Sequence, residues 1–262
     1  MRIAGSLVVV TGASGGLGAE IARSLDAHGA RLILTGRNTD ALRALSSGLR
    51  QAQTITCDLA QRGGVEDLIG GIVEADIVVA NAALPAAGAL IDFTDVELDR
   101  ALDVNLRAPI LIAKRIVPAM VGRGRGHLVF VSSMGGKVPA SRLSVYSATK
   151  YGLRGFAACL RRELDGSGVG VSAIFPGSVR DVGMWADSGA TGRVGTVSSS
   201  AVTEAVIRAI ENDRAEVDVA PLTVRVGAAL AHVAPEMFGR LYKRSRADEQ
   251  TESLAAGLRH KR

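Results

Sequence analysis

The sequence predicts an α/β fold: a doubly wound parallel sheet of about seven strands with helices on both faces, in a single domain. Three observations predict it. Short runs rich in Val, Ile and Leu recur without polar alternation, as strands buried on both faces require. Longer segments with apolar residues at helical spacing separate them. The 262 residues suffice for one core of ordinary size and are few for two.

In chain order, strands are expected at Leu7 to Val10, Arg31 to Thr35, Thr54 to Cys57, Ile77 to Ala80, His127 to Ser132, Val169 to Phe175 and Glu216 to Val219. Between the first two, Leu17, Ile21 and Leu25 share one face of a helix from Gly16 to His28, which Gly29 closes. The longest helices are expected at Leu98 to Gly122 and Val145 to Asp165, the former kinked or broken by Pro109 and Pro118. The stretch Gly177 to Ser200 is rich in Gly, Ser and Thr yet carries the only tryptophan, Trp185, beside Met184. That is the composition of a mobile flap with an apolar tip. Residues 1–220 then form the main domain. Residues 221–262 form a partly helical extension, apolar at Val224, Val226, Leu230 and Val233 and basic at Arg240, Lys243, Arg244 and Arg246.

A hydrophobic fraction of 47% with 22% charged residues excludes a disordered or repeat-built chain. The net charge of +5 raises the question of nucleic acid, but aromatic residues make up only 3% and base-stacking platforms need them. A basic surface suited to an anionic cofactor is the better reading. Cys57 and Cys159 imply no disulfide framework, fit a cytoplasmic protein, and are both expected as buried packing residues. The first ten residues lead straight into a glycine loop with no cleavage-type region, and no stretch reaches the ~20 apolar residues of a membrane span. Apolar Leu230, Val233, Met237, Phe238 and Leu241 ahead of the basic cluster leave two roles open for the extension. It covers a substrate cleft or an oligomer face, or, more weakly, lies on a membrane surface.

The segment LVVVTGASGGLG places Gly12, Gly16 and Gly18, with Leu17 among them, between a strand and an amphipathic helix. Glycines let the backbone approach a pyrophosphate, and the helix N-terminus favours its charge. The spacing is Gly-x-x-x-Gly-x-Gly, not the Gly-x-Gly-x-x-Gly of most dinucleotide folds of the Rossmann type. At the end of the second strand, where NAD binders place a carboxylate, stands Leu34-Thr35-Gly36-Arg37. Arg37 there suits the 2′-phosphate of NADP, with help from the Ser14 hydroxyl; a solvated surface arginine is the alternative. NADP(H) is therefore preferred and NAD(H) remains open. Tyr146 and Lys150, four apart on one helix face, follow Ser133, which stands at the carboxyl end of a strong strand where open sheets place their ligand crevice. Val138, Met184 and Trp185 suggest an apolar substrate wall. The four histidines are scattered and form no ligand spacing, so no metal is expected.

Together TGASGGLG, ANAA, VSS, YSATK and the Pro-Gly after the sixth strand resemble the short-chain dehydrogenase/reductase family, from about Ser6 to Val219. The resemblance implies an oxidoreductase moving a hydride between a nicotinamide and the carbonyl or alcohol carbon of a small molecule, for which the apolar Val138, Met184 and Trp185 suggest a lipophilic substrate. It implies Tyr146 as proton donor and acceptor, Lys150 lowering the tyrosine's pKa and holding the ribose, Ser133 binding the substrate oxygen, and Asn105 holding a water that links Lys150 to solvent. It adds Asp58 and Leu59 at the adenine, Asn81 and Ala82 along the cleft, Pro176, Gly177 and Val179 near the nicotinamide, and a homodimer or homotetramer built on the long helices. The chain departs from the family at Ala80-Asn81-Ala82-Ala83, where Asn-Asn-Ala-Gly is usual, and at Val179-Arg180-Asp181, where Val-x-Thr is. A silent NADP(H)-binding sensor is the rival reading. Such a protein has no physical need for Asn105, Ser133, Tyr146 and Lys150 together.

Overall fold

Each predicted strand is present, and their order in space places the site. A computed structural model of the chain describes residues 1–190, 195–244 and 247–261. The middle of the expected flap, 191–194, and Arg246 of the basic run lie outside the described residues. The first half runs β1 (Leu7–Thr11), α1 (Gly16–Ala27), β2 (Arg31–Gly36), α2 (Thr39–Ser47), β3 (Ala52–Thr56), α3 (Arg62–Ile72) and β4 (Ile77–Ala80). The second continues with α4 (Asp95–Leu102), α5 (Ala108–Gly122), β5 (Gly126–Val131), α6 (Ser144–Glu163) and β6 (Val169–Pro176). After β6 come β7 (Ser178–Val179), α7 (Gly183–Asp187), β8 (Thr196–Val197), α8 (Ser199–Glu211), β9 (Glu216–Val219), α9 (Leu222–Val233), α10 (Pro235–Arg244) and α11 (Ala247–Leu258).

The parallel sheet has the order β3-β2-β1-β4-β5-β6-β9. The chain winds outward one way from β1 and then the other from β4, so the carboxyl ends of β1 and β4 flank the crevice where such sheets bind ligands. β1, β4 and β5 are covered on both faces. Val9, Val78 and Phe130 join one apolar layer with α3, α5 and α6, while Val8, Val10, Ile77 and Val79 join the other with α1 and α8. This explains the unbroken apolar runs of these strands.

Local rules set the element ends. α1 stops at a Schellman turn: Gly29 takes φ +83°, its N–H bonds the Asp26 carbonyl, and Ala30 N–H bonds the Leu25 carbonyl. The expected break in the long fourth helical stretch lies upstream of both prolines, in a π turn at Asp103–Arg107. Pro109 falls in the first turn of α5, directly after the π turn, and Pro118 is carried inside α5. One expectation is corrected: Cys57 is buried but Cys159 is exposed, because it lies on the solvent side of α6. No helix among the described residues is long and apolar enough to cross a membrane.

Candidate active site

A cleft of about 900 Å³ opens over the carboxyl ends of the central strands. At one end β1 passes into the glycine loop. Gly12 takes φ +67°, and a Cβ on it would meet the Ala82 backbone at 2.8 Å. A Cβ on Gly18 would run into the Gly12 carbonyl, and one on Gly16 would meet the Gly183 nitrogen at 2.9 Å. The protein's own packing therefore demands glycine at all three positions. Asn81 braces the turn, donating to the Thr11 carbonyl at 3.0 Å, while Ala82 N–H donates to the Thr11 hydroxyl at 3.1 Å. The bracing asparagine of ANAA is thus retained. No side chain caps α1, so the N–H groups and positive dipole end of its first turn face the cleft that Gly16, Leu17 and Gly18 line.

β2 ends beside this loop. Gly36 lies so close to Ser14 that a Cβ there would meet the Ser14 hydroxyl oxygen at 2.5 Å, which brings that hydroxyl next to Arg37. Arg37 is exposed and lines the cleft, and among the described residues no carboxylate pairs with it. Asp58 and Leu59 line the same end, where Thr35 presents a buried hydroxyl oxygen with no partner among the described residues. A cradle of helix N–H groups, a hydroxyl and an unpaired guanidinium fits a phosphorylated dinucleotide.

At the other end β5 delivers Ser133 into a tight turn in which Gly135 N–H donates to the Ser133 hydroxyl at 3.0 Å, leaving the hydroxyl proton free to point outward. Gly135 also rests on Tyr146: a Cβ on it would meet the ring at 3.3 Å. Tyr146 and Lys150 lie one turn apart on α6, and the Lys150 ammonium is 5.7 Å from the Tyr146 ring centre. Buried Lys150 donates to the Val131 carbonyl at 2.9 Å. Burial lowers its pKa to about 8, and burial around the Tyr146 phenol pushes that group up, with the Ser133 hydrogen bond acting the other way. Desolvation outweighs that hydrogen bond at Tyr146. Asn105, in the π turn and 1% exposed, is not in the cleft wall. Its carboxamide accepts from Leu84 N–H at 2.6 Å and donates to the Leu84 carbonyl at 2.9 Å. It braces the loop after β4 and, donating also to the Thr149 hydroxyl at 3.3 Å, ties that loop to α6 beside Lys150.

Pro176, Gly177 and Val179 line the cleft after β6, and α7 brings Met184 and Trp185 over it. Val138 does not reach the wall. Its N–H bonds the Met134 carbonyl at 2.8 Å, continuing the Ser133 turn, and its side chain packs on the core beneath. Asp181, where the family has threonine, turns away to α8, accepting from Ser199 N–H at 2.9 Å and the Ser199 hydroxyl at 2.8 Å. The extension expected over a substrate cleft or an oligomer face does reach the cleft, through residues that the sequence reading did not single out: Leu254, Leu258, His260 and Lys261 close the same end, while Leu230, Val233, Met237, Phe238 and Leu241 do not line it. α11 docks on α7 so closely that a Cβ on Gly257 would strike the Ser188 carbonyl. Lys261 pairs with Asp187 at 2.8 Å, and Arg142 pairs with Glu252 at 3.6 Å. The available signal was the apolar spacing of Leu254, Ala255 and Leu258 in an otherwise polar helix.

A family model of the short chain dehydrogenases matches residues 6–193. The chain is a short-chain dehydrogenase/reductase. It is 32% identical to dehydrogenase/reductase SDR family member 7B of Bos taurus over 95% of this chain and 83% of that one. It is 30% identical to ketoacyl reductase HetN of Nostoc sp., over 92% and 89%. Among solved structures, a metagenomic short-chain oxidoreductase in complex with NADP superposes with a TM-score of 0.70 at 32% identity, covering 84% of this chain and 98% of that one. As a short-chain dehydrogenase/reductase the protein is an NAD(P)-dependent oxidoreductase acting on CH–OH or C=O groups.

Proposed function

We propose that this short-chain dehydrogenase/reductase reduces the carbonyl of a small lipophilic ketone or aldehyde with NADPH. The observation that carries the reading is one cleft with Ser14 and Arg37 at its phosphate end and Ser133, Tyr146 and Lys150 at the other. The bound nicotinamide supplies the hydride. Gly12, Gly16, Leu17, Gly18, Asn81, Ala82, Pro176, Gly177 and Val179 line its bed, and Asp58 and Leu59 flank the adenine end. Ser133 donates to the substrate oxygen, and Tyr146 gives that oxygen its proton as charge develops. Lys150, anchored on the Val131 carbonyl, keeps an ammonium near the phenol so that the resulting phenolate is stabilised. Asn105 supports this by shaping the π turn and the Leu84 loop. Met184 and Trp185 form the apolar wall, which the C-terminal helix extends. Homodimer or homotetramer assembly and a cytoplasmic location belong to the same reading, the former tested by light scattering.

The test titrates NADPH and NADH by fluorescence at fixed salt against wild type and Arg37→Ala. The expected result is tighter NADPH binding that falls about 10- to 100-fold in the variant, with NADH unchanged, as loss of a charge-assisted phosphate contact predicts. Absence of binding by either nucleotide overturns the reading. A second reading applies to the tail alone. Leu222, Val226, Val233, Met237 and Leu241 are exposed on α9 and α10, and they support contact with a lipid surface. Co-sedimentation with anionic liposomes tests it, and a supernatant fraction unchanged by lipid rejects it.

A further inference from the structure

A lysine that the catalytic roles leave unused sits directly behind the Ser133 turn. Lys137 is 6% exposed, which is costly for an ammonium unless partners replace its water. It has three. Its Nζ donates to Glu216 at 2.7 Å and to Asp218 at 2.6 Å, and it lies 3.8 Å from the centre of the Phe175 ring. Each partner is fixed in turn. Glu216 and Asp218 alternate along the edge strand β9, Phe175 immediately precedes the Pro176-Gly177 cleft wall, and Glu216 also accepts from Arg154 at 2.9 Å. Arg154 is one turn beyond Lys150 on α6.

The turn that Lys137 terminates touches both reacting side chains' helix and the serine. Gly136 N–H bonds the Ser133 carbonyl at 2.8 Å, and Lys137 N–H bonds the Met134 carbonyl at 2.9 Å. A Cβ on Gly136 would meet the Lys150 carbonyl at 2.8 Å, while Gly135 holds the Ser133 hydroxyl and rests on the Tyr146 ring. The turn therefore packs on α6 with no room for a side chain at Gly136. We propose that Lys137 is a positioning residue for the hydride-transfer site: clamped between Glu216 and Asp218 over Phe175, it holds the Ser133 turn against Tyr146 and fixes where the serine hydroxyl meets the substrate oxygen. Lys137 does not line the cleft, so it acts through the turn rather than on the reacting atoms.

This inference rests on the proposed carbonyl reduction, and the experiment separates the two. Wild type, Tyr146→Phe, Lys137→Met and Lys137→Arg are assayed with NADPH against decanal and ethyl acetoacetate, alongside NADPH affinity and hydrogen–deuterium exchange over residues 134–138. In Lys137→Met, kcat is expected to fall about 10- to 100-fold, the scale of a misplacement near 1 Å, with KM and NADPH affinity within about threefold. Exchange over 134–138 rises. Lys137→Arg, which keeps the charge between the carboxylates, restores most of kcat. A folded, NADPH-binding Lys137→Met with wild-type kcat overturns the proposal, as does an equal loss of NADPH affinity and kcat. If Lys137→Met does not fold, Glu216→Gln and Asp218→Asn, each leaving one carboxylate, are read by the same split. If wild type binds NADPH but reduces neither probe, the carbonyl reading fails for these substrates, and unchanged exchange over 134–138 in Lys137→Met separately defeats the positioning role.

Discussion

The two ends of the cleft are built differently. The phosphate end comes chiefly from one βαβ unit: the glycine loop between β1 and α1, then Ser14 and Arg37 meeting at the end of β2. The substrate end is collected from distant places, Leu84 and Pro85, Leu143, Met184 and Trp185, and finally Leu254 and Leu258. Recognition of a phosphate needs particular donors at particular angles, so it leaves a pattern in the chain. An apolar wall needs only bulk in the right place, and many residues supply that.

The comparison can be broken most decisively where the chemistry sits. Tyr146→Phe is expected to lower turnover about 10²- to 10⁴-fold while NADPH affinity stays within about twofold, because the proton donor is lost and the cradle is not. A small effect on turnover would move the acid elsewhere. The pH profile is the next largest effect. The Lys150 ammonium, with its pKa lowered to about 8 by burial, is present below that pH and lost above it. In reduction, kcat/KM should be level below pH about 8 and fall about tenfold per unit above it. Lys150→Arg should shift that limb out of range, since a guanidinium keeps its charge.

At the substrate end effects are smaller and should spare the cofactor. Gly257→Ala forces α11 off the Ser188 carbonyl, and overpacking of this kind costs about 1–3 kcal/mol. The expected readout is a lower Tm and a raised KM for decanal with unchanged NADPH affinity. Lys261→Ala removes a half-exposed pair with Asp187, and exposed pairs contribute about 0–1 kcal/mol. Its Tm should hold and its KM shift less than about fivefold. A large NADPH effect from either variant would show that the tail serves both ends.

Legibility in the sequence follows the same division. All seven strands of the sheet lie within about two residues of where their apolar runs place them, because burial on both faces leaves no polar interruption to blur them. Ser133, Tyr146, Lys150 and Arg37, which the fold brings to one cleft, stand out in the chain because charge and proton chemistry tolerate few substitutes. Val138 packs on the core rather than in the cleft wall, because an apolar residue near a site is equally at home in either place and its type alone does not choose between them. The π turn around Asn105 was hidden behind the more conspicuous prolines. Cys159 was assigned to the interior by residue type alone, although the face of α6 it occupies turns outward.

The position of residues 254–261 also has a consequence for the order in which the parts of the cleft are made. They follow every strand in the order of synthesis, yet they form one side of the cleft. The wall that they form is therefore the last part of the cleft lining to leave the ribosome, after every strand of the sheet that carries the rest.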